Sequence, residues 1–486
     1  MTTRRTILKA AGAVGAATIF SGVVPGLRAF AQTPPRVRRV VNNMALDDPD
    51  LETYREFVDL MQHKPPGNAL SWLGFANQHG TNPTTYRFCP HGDWYFLPWH
   101  REFMLMYERA AATLMKNPKF AMPYWDWTLL RDYPPAFSEP KYKGKPNPLF
   151  VPNRNKLTGR NALTDAIVGP AQMQKIYKET AYEAFGTSRN PAQNNLNMSW
   201  VVAGGGFQGP LEGTTHNLVH NRIGAFMPQA NSPRDPIFMM HHGNIDRIWA
   251  YWNALGRKNS DAKLWLDMVF KDNYLTPEGK PYSKTVKDLL SITPFGYTYD
   301  NMPPKPDNVV ASPRRSRNIA ALFDPAEKAT PQRIKKANTK RVKPGEHLSM
   351  PFALQANTLK GVAETVAPDD ARDVVALISN IDVGDDVSEI RVFVNHPAPT
   401  ADTPDTDPHF VTSIAFLKHP KGGDHGAHKA LPSAQVNLTD TLRKLSAGKE
   451  LNTDNINVEL VPVMQAGAPA AAASGVVPAA IEIAVV

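Results

Sequence analysis

The first part of the chain carries apolar residues at helical spacing. Between positions 48 and 63 they recur every three or four residues and would share one face of a helix: Leu51, Tyr54, Phe57, Val58 and Met61. The same kind of pattern predicts further helices over 68–79, 98–117, 212–222 and 235–254. The stretch 130–200 is rich in Pro, Asn and Gly, so it predicts mostly loop. We therefore expect a mainly α-helical domain.

After about position 346 the periodicity changes from helical to alternating. Ile456, Val458 and Leu460 alternate with polar residues, which is the pattern of a half-buried strand. Runs rich in Val and Ile, separated by turn residues, predict strands over 373–383, 389–395, 410–417, 455–463 and 480–485. We therefore expect a carboxy-terminal β-sandwich domain over 346–486.

A basic segment lies between the two parts. Residues 313–345 contain ten Lys and Arg against Asp324 and Glu327, which is typical of a solvated linker or a strap over the surface. The sequence thus predicts a catalytic domain over 32–302, a basic linker over 303–345 and then the sandwich.

The first 31 residues resemble an export signal. Arg4 and Arg5 form a basic pair, an apolar run of small residues extends from 10 to 24, and Ala29-Phe30-Ala31 fits a cleavage site. This pattern is typical of a bacterial twin-arginine signal, so we expect the twin-arginine machinery to export the protein to the periplasm or beyond. A membrane anchor is the alternative, but the run is short for a span of about 20 residues.

Composition removes several classes of function. The chain has 486 residues, of which 42% are apolar, which is enough for two domains. Its single cysteine, Cys89, excludes intrachain disulfides and Cys-rich zinc or iron–sulfur sites. The net charge of +9 arises from the amino terminus and the basic linker, so no nucleic-acid-binding face is predicted. The loop 204–209 fits G-x-G-x-x-G without a βαβ unit, and we interpret it as a turn.

Histidines provide the candidate chemistry. They form two clusters along the chain, His79, His91 and His100, and then His216, His220, His241 and His242. His216 and His220 are four residues apart, so a helix places both imidazoles on one face. Sets of neutral imidazoles suit copper, and the absence of H-E-x-x-H argues against the common zinc sites.

Neighbouring residues would complete each cluster. Asp246 lies one helical turn after His242, and its carboxylate could accept the imidazole N–H and fix the tautomer. Phe238, one turn before His242, and Phe96, one turn before His100, could wall the metal sites.

Two motifs resemble the copper signatures of tyrosinases, which belong to the type-3 copper family with catechol oxidases and molluscan haemocyanins. His91, Phe96 and His100 match the copper A pattern, and 235–249 matches the copper B pattern almost residue for residue. The resemblance, which is to bacterial tyrosinases or polyphenol oxidases, covers about 36–302. It implies a helical bundle around a binuclear centre of two copper ions.

The resemblance also implies the ligands. Copper A would be held by His79, His91 and His100, and copper B by His216, His220 and His242, with His241 as a neighbour. His63 is the alternative to His79, because the spacing before His91 varies within the family.

Three further residues gain roles from the resemblance. Some fungal tyrosinases and molluscan haemocyanins join a Cys at the position of Cys89 to the copper ligand, here His91, by a thioether; a small buried thiol is the alternative. In bacterial tyrosinases a Glu and the Asn after the first copper B histidine hold a water that assists phenol deprotonation. Asn217 matches directly, although it could equally lie on a helix surface. Glu212 is only four residues before His216 and could instead cap the helix.

The expected function is a tyrosinase-type copper monooxygenase and oxidase. It would hydroxylate small monophenols at the ortho position and oxidise catechols to o-quinones with O2, without a nucleic-acid partner or a stable membrane span and with a possible homo-oligomeric state. The alternatives are a catechol or o-aminophenol oxidase without significant monophenolase activity, an oxygen-binding haemocyanin-like protein, and a zinc hydrolase. In longer family members the carboxy-terminal sandwich covers the copper entrance, so we expect partial shielding; the alternative is that it only covers an apolar surface.

Overall fold

The computed structural model describes residues 34–302, 313–324, 332–363, 372–417, 430–451, 455–465 and 474–486. The predicted export signal over 1–31 lies outside these residues, so twin-arginine export stays a prediction. Among the helices that are described, none combines the length and the apolar composition needed to cross a bilayer.

Helices frame the region that contains the histidine clusters. The α-helices before position 303 are α1 (Pro49–Gln62), α2 (Trp72–Ala76), α3 (Phe96–Leu114), α4 (Pro135–Ser138), α5 (Asp165–Val168), α6 (Pro170–Lys178), α7 (Tyr182–Phe185), α8 (Asn217–Ile223), α9 (Ile237–Ala254) and α10 (Lys263–Leu266). A π-helix, Pro210–His216, runs directly into α8. Short 3₁₀ helices occupy Gly159–Asn161, Met198–Val202, Ser232–Arg234, Val286–Leu289 and Thr293–Phe295.

Local capping explains where these helices begin. The side chain of Asp48 accepts a hydrogen bond from the backbone N–H of Asp50, and Pro49 takes the first helical position of α1. The helix predicted over 68–79 is shorter, because Ser71 caps α2. The stretch 130–200, predicted as mostly loop, contains the short helices α4 to α7.

The helices α3 and α9 carry part of each histidine cluster and are buried on almost every side. Most of α3, including Trp99 and Phe103, is buried, and so is most of α9, including Trp249 and Trp252. Helices that are apolar all round belong in a core. The histidines on them are consequently held away from water.

Seventeen strands complete the described part of the chain. They are β1 (Arg36–Arg38), β2 (Gly80–Asn82), β3 (Thr85–Tyr86), β4 (Lys141–Tyr142), β5 (Lys145–Pro146), β6 (Phe207–Gln208), β7 (Val269–Leu275), β8 (Pro281–Thr285), β9 (Tyr297–Tyr299), β10 (Gln332–Ala337), β11 (Leu348–Ala353), β12 (Val374–Val383), β13 (Val387–Val394), β14 (Phe410–Ile414), β15 (Ser433–Asn437), β16 (Asn455–Met464) and β17 (Val476–Val485). Helices α11 (Pro313–Ala321), α12 (Thr358–Ala363) and α13 (Thr439–Ala447) lie between the later strands.

Two sheets pack face to face in the carboxy-terminal part. One has the strand order β10-β17-β12-β15-β6 and the other β11-β16-β13-β14. Ile456, Val458 and Leu460 of β16 share one apolar cluster with Ile481 and Ile483 of β17. The alternating pattern therefore identified the inward face of a β-sandwich.

The described residues of 313–345 form more than a solvated linker. Helix α11 packs the buried side chain of Ile319 into a cluster with Val375 of β12, and β10 pairs antiparallel with β17 at the edge of the five-stranded sheet. Arg333 and Lys335 face outward from β10, which suits an edge strand. The many charged residues of 313–345 obscure the apolar periodicity by which α11 and β10 could be recognised in the sequence.

One strand of the five-stranded sheet comes from the helical part of the chain. Strand β6 lies in the loop 204–209 that the sequence analysis interpreted as a turn, and it pairs in parallel with β15. The π-helix begins two residues after β6. The sandwich is thus hydrogen-bonded directly to the segment that leads into the second histidine cluster.

Candidate metal centre

Two groups of buried side chains converge in the helical core. The first contains His79, Cys89, His91 and His100, and the second contains His216, His220, His241 and His242. Within each group the atoms that could bind a metal all lie within 4.8 Å of one another. The rings of His100 and His242 stack across the two groups, with their centroids 4.3 Å apart. The structure thus brings together all six histidines that the sequence predicted as ligands.

Four of these imidazoles donate a hydrogen bond from Nδ1–H to an oxygen. The Nδ1–H groups of His79, His100 and His220 donate to the carbonyl oxygens of Ala230 (2.5 Å), Phe96 (2.8 Å) and Met227 (2.6 Å), and that of His216 donates to Asn217 Oδ1 (2.8 Å). A neutral imidazole has one N–H, so each Nε2 keeps a lone pair.

The free Nε2 atoms point into the site. Nε2 of His79 is buried without a hydrogen-bond partner. Those of His216 and His220 each lie 3.3 Å from Nε2 of His242. Buried lone pairs gathered in this way are a donor set for a metal ion.

Burial keeps the imidazoles neutral. It lowers the pKa of His79 from 6.5 to about 3 and that of His220 to about 4. It also places the pKa values of His100, His216 and His242 well below 6.5. Neutral imidazole is the form that binds metals, so no proton competes for these nitrogens at pH 7.

The adjacent histidines 241 and 242 differ in their hydrogen bonding. The indole N–H of Trp127 donates to Nδ1 of His241 at 3.2 Å. Indole is a donor only, so the remaining proton of neutral His241 sits on Nε2. Neither nitrogen of His241 then has a free lone pair, whereas Nε2 of His242 faces those of His216 and His220.

The structure also separates His63 from His79. The side chain of His63 is 77% exposed, and its Nδ1 contacts the Asp59 backbone carbonyl at 2.8 Å. His79 is fully buried in the first group. The alternative that places His63 in the first group is therefore excluded by position.

Phe96 and Phe238 wall the site as predicted. Phe238 stacks on His242 with a centroid distance of 4.1 Å, and it meets His79 edge-on at 5.3 Å. Phe96 lies 4.8 Å from His100 and 4.7 Å from His216. Each ring therefore contacts both histidine groups and excludes water between them.

Cys89 lies against the His91 ring. Its buried Sγ is 3.4 Å from Nδ1 and 3.8 Å from Nε2 of His91. The same sulfur is 3.4 Å from Nε2 of His100. Burial raises the pKa of the thiol well above 9.0.

Glu212 and Asn217 are both buried, and their contacts exclude helix capping by Glu212 and a helix-surface position for Asn217. Glu212 does not cap its own helix: Oε1 accepts from the backbone N–H of Gly92 at 2.8 Å, and Oε2 accepts from the hydroxyl of Thr187. Burial raises the pKa of Glu212 to about 8, although these two hydrogen bonds act in the opposite direction. Asn217 is 1% exposed and is not a helix-surface residue.

Asp246 is not the partner of His242, and that prediction is wrong. Its carboxylate instead accepts from Arg101 (2.6 Å), Arg38 (3.3 Å), Tyr297 (2.6 Å) and Tyr299 (2.5 Å). Two guanidinium charges attract a carboxylate more strongly than a neutral imidazole does. Nδ1 of His242 is buried without a hydrogen-bond partner.

The sequence patterns do not reveal the residues that orient His241, Glu212 and Asn217. Trp127, Thr187 and Gln208 lie outside the two motifs, and each contacts its partner from a different loop or strand. The hydroxyls of Tyr297 and Tyr299 donate to Asp246, which a spacing pattern alone does not predict.

The donor chemistry fits copper. Imidazole nitrogens in a dry, aromatic-lined cavity suit copper, whereas magnesium and calcium prefer oxygen ligands. The two adjoining groups are therefore suited to a binuclear copper centre.

Comparison with known proteins follows the same division of the chain. The profile described as the common central domain of tyrosinase matches residues 69–255, which include both histidine groups. The profile described as the chloroplastic polyphenol oxidase C-terminal domain matches residues 353–476, within the sandwich.

Individual relatives span most of the chain. Chloroplastic polyphenol oxidase A1 of Vicia faba is 25% identical over 478 residues, covering 89% of this chain and 75% of the relative. Tyrosinase HcTyr1 of Hahella sp. (strain CCB-MM4) is 24% identical over 474 residues, covering 87% and 94%. The relatives thus include plant and bacterial proteins, and a bacterial origin for this chain stays a prediction.

A solved structure shares the fold. Latent aurone synthase, a polyphenol oxidase from its natural source, superposes with a TM-score of 0.66 over 94% of this chain and 90% of its own, at 19% identity. The helical core and the sandwich therefore occur together in another protein.

Replacement of Asp246 tests the corrected contact. Burial alone would raise the pKa of Asp246, but the charges of Arg101 and Arg38 outweigh it and hold the pKa below 3.8. We expect Asp246→Asn to lower the free energy of unfolding by about 3–5 kcal/mol, because buried Arg101 loses its counter-charge and buried Arg38 keeps only Glu108. Asp267→Asn, at a half-exposed position, is the control and should change it by less than about 0.5 kcal/mol.

The same variant has a defined pH dependence. A lowered folded-state pKa means that the carboxylate stabilises fully above the unfolded pKa of about 3.9, and that this contribution is lost as the pH falls through the folded-state pKa. The stability difference between wild type and Asp246→Asn, measured by urea unfolding, should therefore shrink below about pH 4. The folded variant should still bind two copper ions; copper loss would instead favour a contact with His242.

Proposed function

We propose that this chain, a copper oxidoreductase similar to polyphenol oxidases and tyrosinases, hydroxylates monophenols at the ortho position and oxidises catechols to o-quinones with O2. The proposal rests on a set of neutral, buried imidazoles. In four of them Nδ1–H donates a hydrogen bond to an oxygen, which leaves Nε2 with a lone pair that faces the site. Copper bound there would supply the electron exchange between phenol and O2.

Six histidines would hold the two ions: His79, His91 and His100 at copper A, and His216, His220 and His242 at copper B. The hydrogen bonding supports His242 over His241 as the ligand, because Nδ1 of His241 uses its lone pair to accept the indole N–H of Trp127. The stacked rings of His100 and His242 support two sites that face each other.

Glu212 is the proposed acceptor for the phenol proton, and Asn217 is proposed to assist it when one of the Asn217 N–H groups is free. A base acts best when its pKa lies near the working pH, and the raised pKa of Glu212 meets that condition. Its carboxylate is anchored to the backbone beside His91, while its own helix leads to His216. It therefore links the segment that carries His91 to the helix that carries His216.

Oxygen uptake by the copper-loaded protein tests the proposal directly. We expect consumption of O2 with tyrosine, after a lag, and with its catechol L-DOPA. Uptake with L-DOPA alone would favour the catechol oxidase alternative. Reversible O2 binding without turnover of either substrate would overturn the enzyme proposal and favour a carrier.

Two histidine variants test the ligand assignment. His242→Ala should abolish oxidation and lower the copper content, because it removes a ligand. His241→Ala is the matched control from the adjacent position, and it should retain two copper ions per chain by elemental analysis. If His241→Ala loses copper while His242→Ala keeps it, the assignment is reversed.

We also propose that Cys89 and His91 become joined by a thioether during copper maturation. A bond between Sγ and a ring carbon forms while one S–H and one C–H bond break, and two electrons and two protons pass to O2. The 3.4 and 3.8 Å contacts place the sulfur beside the ring that it would join.

Intact mass tests this bond. Copper-matured protein should be about 2 Da lighter than the unmatured chain, and peptide mapping should recover residues 89 and 91 together. Cys89→Ser should show no mass change on maturation. A free, alkylatable Cys89 in fully active enzyme would end the proposal.

The carboxy-terminal sandwich is proposed to shield the copper entrance in part. Ala415, which follows β14, packs in the same apolar cluster as residues of the helical core. Lys175 donates to the carbonyl of Val411 at 2.6 Å, and buried Arg222 pairs with Glu389 at 2.7 Å. These contacts hold the sandwich against the helix that carries His220.

Limited proteolysis tests the shielding. Trypsin should cut first within 313–345, at a Lys or Arg outside α11 and β10, whose backbones are hydrogen-bonded. Removal of the sandwich after the cut should raise kcat/KM for bulky phenols more than for catechol, which passes a narrower gap. A soluble, copper-replete core with unchanged activity toward both substrates would rule shielding out, and aggregation without a gain would favour a purely covering role.

A further inference from the structure

Both N–H groups and the oxygen of the Asn217 side-chain amide form hydrogen bonds to neighbouring groups. Its two N–H groups donate to Oε1 of Gln208 and to the carbonyl oxygen of Ala415, each at 2.7 Å. Its Oδ1 accepts from Nδ1 of His216 at 2.8 Å. All of these groups are buried.

Two acceptors, the carbonyl of Ala415 and Oε1 of Gln208, together orient this network. The amide of Asn217 turns its NH2 group toward both of them and its Oδ1 toward His216. An oxygen at that position requires a proton on Nδ1 of His216. The proton on Nδ1 in turn leaves Nε2 with the lone pair that faces the site.

Gln208 supports the same orientation from a second side. It occupies β6, which pairs with β15 of the sandwich and forms a bridge to Thr187, the residue that hydrogen-bonds Glu212. Gln208 is 2% exposed, and its Nε2 lies 3.1 Å from where a side chain on Gly92 would begin. It is wedged between the loop that follows His91 and the helix that carries His216, so its Oε1 has little freedom to turn away.

We propose that Gln208 is a positioning residue for the second histidine group: through Asn217 it fixes the tautomer and the ring orientation of His216. Gln208 does not itself contact a histidine, and it acts only through the amide that it holds. The inference rests on the proposed function, since it gives His216 the role of a copper ligand.

The network has a consequence for Asn217. While Ala415 is in place, both N–H groups of Asn217 are occupied, and none remains for a water molecule at Glu212. In the intact chain Asn217 therefore serves His216. Departure of the sandwich would free one N–H while Gln208 keeps the amide oriented.

The full-length, copper-loaded protein provides the test. Gln208→Met keeps the size of the side chain and removes the acceptor, and Gln208→Glu keeps an acceptor oxygen. Gln172→Met is the matched control, because Gln172 is also buried (3% exposed) but lies on α6 away from both histidine groups. Copper remaining after timed exposure to a chelator is measured for each variant.

We expect Gln208→Met to lose one of its two copper ions about 10-fold faster than wild type, since partners behind a ligand change metal affinity by this order. The second ion should leave at the wild-type rate, and Gln208→Glu should restore the rate for the first. Wild-type rates for both ions in Gln208→Met would overturn the inference. Faster loss of both ions, with the same fall in Tm as in Gln172→Met, would also overturn it, because it would show ordinary destabilisation.

A copper-free measurement separates this inference from the proposed function. Imidazole ¹⁵N shifts report the tautomer, and His216 should be protonated on Nδ1 in the wild-type apoprotein but mixed in Gln208→Met. If the wild type fails to bind copper, the proposed function fails while this tautomer shift can still be seen. If it binds two ions and His216 keeps one tautomer in both proteins, only the inference fails.

Discussion

A neutral buried imidazole presents a lone pair on Nε2 when Nδ1 keeps its proton, and an acceptor for that proton fixes this tautomer. Such an acceptor is present for His79, His100, His216 and His220. Helices carry His100, His216, His220 and His242, but the acceptors of His79 and His220 are the carbonyls of Ala230 and Met227, which lie in loops. A buried N–H without an acceptor costs about 1–3 kcal/mol, so the loops are as closely specified as the helices.

The same core contains charges that must also be satisfied without water. Behind the histidine groups, Arg38 bridges Glu108 and Asp246, and Arg101 reaches Asp246 from α3. These contacts join β1, α3 and α9, which are far apart along the chain. The network holds the two helices that carry His100 and His242, and it does so without contacting either ring.

The sequence predicted what depends on neighbours along the chain. Periodicity identified α1, α9 and β16, because a helix or strand fixes those relations locally. The resemblance to the copper signatures implied the six histidines that converge. Long-range choices were out of reach. Asp246 could face His242 or the opposite side at the same spacing, and Arg38, 208 residues away, decides between them.

Two strands, β10 and β6, could not be predicted because their segments are rich in charged residues and in glycine, respectively. The basic residues of 313–345 hid strand β10, whose partner β17 is far along the chain. The glycines of 204–209 hid strand β6, which is only two residues long and exists because β15 lies beside it. Neither strand has enough local pattern to be recognised without its partner.

The bond between Asn217 and Ala415 joins residues 198 positions apart, and this affects the order in which the protein can be completed. At about 5–20 residues per second, a ribosome needs roughly 10–40 s to add the intervening chain. During that interval the helical segment is already made, while β6 and the Asn217 amide still lack partners from the sandwich. The hydrogen-bond network behind the second histidine group is therefore completed only after the carboxy-terminal half of the chain has been made.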